Sequence, residues 1–297
     1  MLNNSFFARQ PCVRLAGLAG HVRMPRAENA LLMTAPTTPS PAATLVLLRD
    51  RAPDLVETLL IQRHAASRFA GGDHVFPGGK VEAHDIPADV ERLCRGLTGP
   101  QAAARLGLTP REALGYWVGA IREAFEEVGV LLAYAPDGRF VRFTDENRGR
   151  FDEHRTACQA RDEAFFAMLR AEGLTLATDR LAYFAHWITP EESPIRFDTR
   201  FFAAVTPDGQ APTADGREIV ALSWLTPDEA IAARHRREMS MRFPTLKNLE
   251  LIANAGPGSA QHVVERLGTL PVPAIRPRIL HVEGRAVAVL PDDPRWY

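Results

Sequence analysis

"REAFEEVGV", residues 122–130, sets Glu123, Glu126 and Glu127 within five positions of a segment with helical periodicity. Upstream, Thr109 suits a helix N-cap, Pro110 the first helical position and Glu112 the third position of a capping box. Leu114, Trp117, Val118, Ile121, Phe125 and Val128 then recur at helical spacing, and Gly129 can end the helix. At about 100° per residue the three glutamates share an arc of about 100°, whereas Ile121, Ala124 and Val128 fall on the opposite side. One face therefore packs, and the other presents three carboxylates. Like charges at this spacing repel, so the cluster is unfavourable unless a positive group meets it. Hard oxygen donors suit a divalent cation such as Mg2+ or Mn2+. Taken alone, such a cluster is more often a solvated acidic face.

A second stretch changes the weighing. "FPGGKVEAHD", residues 76–85, puts a glycine pair ahead of the helix. Without the glutamates, Pro77-Gly78-Gly79 reads as an ordinary turn. Together the two stretches resemble the Nudix box, Gly-x5-Glu-x7-Arg-Glu-apolar-x-Glu-Glu-x-Gly-apolar. Gly79 stands at its first glycine, and Arg122, Glu123, Ala124, Glu126, Glu127, Gly129 and Val130 match its helical half. Asp85 stands where the family has glutamate, at a position that is normally a supporting one. Asp85 and Arg122 enclose 36 residues, where the pattern has seven, so a segment is inserted inside the motif. Loop-closure entropy grows slowly with length, so an insertion that returns the chain to the same helix start is tolerable.

Further upstream, "LLIQRHAASRFAGGDHVFPGG" (59–79) resembles the coenzyme A recognition pattern of CoA-diphosphatase Nudix enzymes. Leu59, Leu60, Arg63, Gly72 and Phe76 through Gly79 match, while Ile61, His64 and Ser67 depart from it. "RFDTRFF" (196–202) and "FPTLKNLELIA" (243–253) are similar to the peroxisomal CoA diphosphatases that carry an insertion in the box. This resemblance implies an α/β/α sandwich with a mixed β-sheet, a helical insertion at about 86–109 and a C-terminal extension. It implies metal-dependent hydrolysis of CoA or acyl-CoA to 3′,5′-ADP and (acyl) phosphopantetheine. Mg2+ or Mn2+ would sit on Glu123, Glu126 and Glu127, with Glu123 a further ligand or the base. Gly78 and Gly79 would let the backbone approach the site closely. A general ADP-ribose or nucleotide-sugar pyrophosphatase is the rival enzyme, and a non-catalytic nucleotide-binding or regulatory module the rival outside enzymes. The intact glutamate set argues against the module.

Many Nudix members recruit another acid from a distant loop. Glu218, in "DGREIVALSW", is the best-placed candidate, with Glu191 and Glu192 behind it, although a loop glutamate is more often merely solvated. Arg63, Arg196 and Arg200 could bind phosphate bidentately, and structural ion pairs would account for them as well. His74 and His84 flank the glycine motif without a metal-binding pattern, and Trp117, Trp187 and Trp224 lie in apolar patterns that read as core.

Composition is compatible with all this and excludes little else. The 297 residues carry Lys plus Arg 35 against Asp plus Glu 36, so no net basic field draws the chain to nucleic acid or anionic lipid. Cys12, Cys94 and Cys158 form no CxxC, which argues against a zinc ribbon or a disulfide scaffold. No apolar run approaches the roughly 20 residues of a membrane-spanning helix. The partner expected is therefore a small nucleoside-diphosphate substrate; a homodimer is left open. Residues 1–27 hold four arginines and no acid, and residues 1–42 are expected to be a disordered or leader segment, with Met24 or Met33 a candidate start. The Nudix domain is expected over 43–255 and an extension with a hairpin turning at Glu283–Gly284 over 256–297. Peroxisomal relatives end in an import tripeptide; this chain ends in "RWY", so a cytoplasmic location is expected.

Overall fold

Alternation along β1 (Ser40–Ala52) creates the two layers of the protein, because successive side chains of a strand face opposite ways. Leu45 and Leu47 pack with Trp117 and Ile121, while Val46 and Leu48 pack with Leu249 and Val263. The computed structural model describes residues 37–67, 69–282, 285–291 and 293–294. The expected leader falls outside these, except that β1 begins at Ser40, inside its last residues. Pro53 and Asp54 make a turn, Asp54 with φ 59°, and β2 (Leu55–Arg63) returns antiparallel.

β3 (His74–Val75) pairs with β2, and β4 (Gly78–Lys80) pairs with the first half of β1, Gly79 opposite Ala43. The insertion follows. After a 3-10 turn at Ala83–Asp85 that ends on the motif's Asp85, it holds a 3-10 turn at Val90–Leu93 and then α1 (Gly99–Leu106), which packs on α2 (Pro110–Val128). α2 is the glutamate helix. Thr109 Oγ1 donates to Glu112 at 2.6 Å, and Gly129 closes the helix at φ 69°. Glycine is favoured there because a side chain strains that left-handed backbone.

β5 (Ala133–Tyr134), α3 (Arg148–Cys158), α4 (Ala164–Ala171) and β6 (Thr175–Leu176) come next. β7 (Ala182–Ile188), β8 (Phe197–Val205) and β9 (Ile219–Leu225) complete the catalogue of long strands. Thr226 caps α5 (Pro227–His235), and α6 (Phe243–Asn254) and α7 (Ala260–Leu267) follow. β10 (Ala274–Ile275) precedes the hairpin of β11 (Arg278–Val282) and β12 (Arg285–Val289), whose turn lies outside the described residues.

Among the described residues, eight strands form the central sheet. Its main path runs β10-β7-β8-β1-β2-β3, with β4 on β1 and β9 on β2. β1 runs parallel to β8 and antiparallel to β2, so the sheet is mixed. α1 to α4 cover one face and α5 to α7 the other, giving the α/β/α sandwich. The segment set apart as an extension from residue 256 is partly core: Val263, Val264 and Leu267 of α7 are buried, and β10 pairs with β7. Trp117 and Trp187 are core residues, whereas Trp224 is half-buried with Arg49 over its ring. No described helix is long and apolar enough to cross a membrane.

Candidate active site

α2 lies over β4 so closely that a β-carbon on Gly79 would fall 2.5 Å from Glu123 Oε1. One on Gly78 would fall 2.5 Å from the Ala43 carbonyl. Gly78 is therefore required by the close approach of the β1 backbone, whereas a side chain at Gly79 would displace the Glu123 carboxylate from its place. Gly78 N–H donates to Glu127 Oε2 at 2.9 Å, fixing that carboxylate against the strand.

Arg122 organises the site from behind. Its Nε and Nη2 donate to the two oxygens of Asp85 at 2.7 and 3.1 Å, and Nη2 also reaches the Lys80 carbonyl at 2.9 Å. Its Nη1 stands 2.9 Å from both Glu123 Oε1 and Glu126 Oε2. Asp85 is 0% exposed. The Asp85–Arg122 pair thus closes the motif across the insertion, which explains how the segment loops out without moving the start of the site.

Arg63, at the end of β2, meets the site from the front. Nη1 is 3.4 Å from Glu127 Oε1 and Nη2 is 3.3 Å from Glu218 Oε2, while Nε is buried without a partner. Glu218 comes from the turn before β9 and its side chain is 65% exposed. Asp215 builds that turn: its Oδ1 accepts the N–H groups of Arg217, Glu218 and Ile219 at 2.9, 3.1 and 2.9 Å. Beside it opens a cleft of about 440 Å3 lined by Arg63, His64, Ser67, Phe69, Arg217 and Glu218.

Five carboxylates (Asp85, Glu123, Glu126, Glu127 and Glu218) thus meet two guanidiniums. The excess negative charge registers in their protonation. Burial pushes Glu126 up to about 7, against the pull of Arg122. Burial, then the neighbouring Glu123, holds Glu127 well above the usual carboxylate range; burial also raises Glu123. Burial opposes the charge of Arg122, yet Glu123, Asp85 and Glu126 hold its pKa above the ordinary value. Among the described residues no three His, Cys, Asp or Glu side chains form a ready-made metal cage. Glu123 and Glu126 are turned onto Arg122, and Glu127 onto Gly78 and Arg63. The donor set nonetheless fits a hard divalent cation, being all oxygen, crowded and short of positive charge.

The structure thus brings Glu123, Glu126, Glu127, Glu218, Arg63, Gly78 and Gly79 together. It does not bring Arg196. That guanidinium is buried and donates to the carbonyls of Thr189 at 3.2 Å and Thr37 at 2.7 Å, so its donors serve the backbone around the start of β8. Arg200 is likewise buried, paired with Asp198 and bonded to Tyr116 Oη at 3.2 Å. Glu191 pairs with Arg276, and His84 stands 3.8 Å from Asp162.

A family model described as the NUDT19 Nudix domain matches residues 26–252. This chain belongs to that family. It is 30% identical over 236 residues to the acyl-coenzyme A diphosphatase NUDT19 of Gallus gallus, covering 67% of this chain and 61% of that protein. For the Xenopus laevis protein of the same name the identity is 26%, covering 69% and 62%. The chain thus spans less than two thirds of the length of either relative. A NUDIX hydrolase from Alicyclobacillus acidocaldarius superposes with TM-score 0.62 at 27% identity, covering 73% of this chain and 92% of that one.

Two groups that hold this Nudix site lie outside the motif. Arg155, on α3, donates from Nε to the Glu126 carbonyl at 3.0 Å and from Nη2 to the Glu127 carbonyl at 2.7 Å. It satisfies the carbonyls that a helix end leaves open and places a cation at the negative end of the α2 dipole. Through Thr213, whose carbonyl Nη2 also reaches at 2.9 Å, it ties α2 to the segment leading to Glu218. Asp215 is the second; its Asp-Gly dipeptide is a turn signature that could have been read.

Proposed function

We propose that this protein hydrolyses the diphosphate bond of CoA or an acyl-CoA, giving 3′,5′-ADP and (acyl) phosphopantetheine, with Mg2+ or Mn2+ as the required cation. The observation that carries the reading is the meeting of Glu123, Glu126, Glu127 and Glu218 over the Gly78–Gly79 strand, beside a cleft of nucleotide size. The names of the Gallus gallus and Xenopus laevis relatives support the substrate.

Glu126 and Glu127 would hold the cation, with Glu123 a further ligand. When bound, it supplies charge screening on the phosphates and a lowered pKa for the attacking water. The Gly78 N–H holds Glu127 in place, and Arg63 holds Glu127 and Glu218 to a common point. Glu218 and Glu123 would be the candidates to take a proton from the water. Burial of Glu127 between α2 and β4 keeps bulk solvent from it, which strengthens the electrostatic effect of every nearby charge.

The test is a substrate panel of CoA, an acyl-CoA, ADP-ribose and NADH, with and without Mg2+. CoA or acyl-CoA should give the highest kcat/KM. If ADP-ribose wins, the general nucleotide-sugar reading replaces this one. If nothing turns over, the protein is a binding module.

A further inference from the structure

Among the described residues, two arginines with different commitments line the cleft beside the carboxylates. Arg63 is spent: its two terminal nitrogens face Glu127 and Glu218. Arg217 is not. Its backbone N–H is held by Asp215, which fixes where the residue stands, while its exposed guanidinium makes no hydrogen bond or ion pair among the described residues. Yet it lines the same cleft.

The other lining groups are donors and an aromatic wall. His64 Nδ1 accepts the Ala66 N–H at 3.1 Å, so the neutral ring carries its proton on Nε2 and can donate it. Ser67 adds a hydroxyl. Phe69 is braced by Phe197 at 5.0 Å and by Arg242 over its ring at 4.8 Å. A cation, two neutral donors and a braced aromatic ring are the chemistry that recognises a phosphorylated nucleoside. The one acid among the described lining residues, Glu218, faces Arg63, which offsets its repulsion of an incoming anion.

We propose that Arg217, with His64 beside it, binds a phosphate monoester on the nucleoside end of the substrate, separate from the diphosphate that is cleaved. This rests on the nucleoside-diphosphate reading above and assigns its substrate preference to a residue outside the Nudix box. Arg63 is then a positioning residue for two carboxylates and contributes little to telling a 3′-phosphorylated nucleotide from one without that group.

The experiment is titration calorimetry on the full chain, without added metal, comparing 3′,5′-ADP with 5′-AMP. Wild type should bind 3′,5′-ADP about tenfold or more tightly, as charge-assisted contacts give. Arg217→Ala should bring the two affinities together, Arg217→Lys should keep part of the difference, and His64→Ala should lower it less. Arg63→Ala should keep the ratio. Equal wild-type affinities, no measurable binding of 3′,5′-ADP, or an unchanged ratio in Arg217→Ala would each overturn the assignment. The readout is independent of turnover. A retained ratio with no hydrolysis overturns the enzymatic reading alone, and hydrolysis with a ratio of one overturns this inference alone.

Discussion

Arg122 and Arg63 brace one carboxylate cluster through different members of it, Arg122 through Glu123 and Glu126 and Arg63 through Glu127 and Glu218, and they are built differently. Arg122 lies within α2, buried, with contacts of 2.7–3.1 Å to Asp85, Lys80, Glu123 and Glu126. Arg63 sits at a strand end, with contacts of 3.3–3.4 Å and one nitrogen unpartnered. Short, bidentate, buried pairs hold one geometry, whereas long ones tolerate rearrangement. The back of the site is thus a fixed frame, and the front is a clamp that can yield when a substrate arrives.

Breaking the frame should have the largest effect. Arg122→Ala leaves Asp85 fully buried with only the Glu82 N–H as partner. Removing one member of a buried pair costs about 3–5 kcal/mol. The urea midpoint should fall accordingly, and an unchanged midpoint would show that the Asp85–Arg122 pair does not hold the insertion closed.

Next comes the charge that the frame displays. Glu127→Gln keeps an oxygen for the Gly78 N–H while removing a negative charge that burial already disfavours. Turnover should fall about a hundredfold or more with the thermal midpoint preserved. Chelation of divalent ions by EDTA should cause a loss of similar size in wild type. Near-wild-type rates for this variant at saturating Mg2+ would remove Glu127 from the proposed ligand set.

The contrast between frame and clamp also separates what the sequence disclosed from what it withheld. β1, β2, α2 and α5 are legible because short apolar runs, Thr-Pro caps and helical spacing are local patterns. The proximity of Gly79 to Glu123 followed from a motif that encodes it. Arg196 and Arg63 could not be told apart, since partners distant in sequence decide what a guanidinium does. α3 and α4 are not legible in the same way. "RGRFDEHRTACQARDEAFF" (148–166) is largely polar, and its charges hide the apolar stripe of Phe151, Cys158 and Phe165. The contribution of Arg155 is made to backbone carbonyls, which no residue spacing announces.

A smaller effect is expected at the clamp. Arg63→Ala should lower kcat about tenfold for CoA and its 3′-dephospho form alike, because it frees Glu127 and Glu218 from a shared point. Arg63→Lys should rescue only in part, since a point charge cannot span both carboxylates as the guanidinium fork does. A loss confined to the 3′-phosphorylated substrate would instead make Arg63 a phosphate ligand.

The smallest effect should arise one layer further out, where the clamp rests on Asp215. Three backbone N–H groups converge on its Oδ1, and Gly216 beside it adopts φ 70°. Asp215→Ala releases those donors to water, because the turn is at the surface, so stability should fall by only about 1 kcal/mol. The functional consequence has a direction set by geometry. Arg217 and Glu218 are adjacent on this turn, so loosening it weakens both the anion contact and the partner of Arg63. KM should therefore rise more than kcat falls, because the frame around Arg122 and Gly79 is untouched. Asp215→Asn keeps one acceptor oxygen and should recover most of the loss. If kcat collapsed in Asp215→Ala while KM held, Glu218 would have to be fixed as rigidly as the glutamates of α2, and the division into frame and clamp would fail.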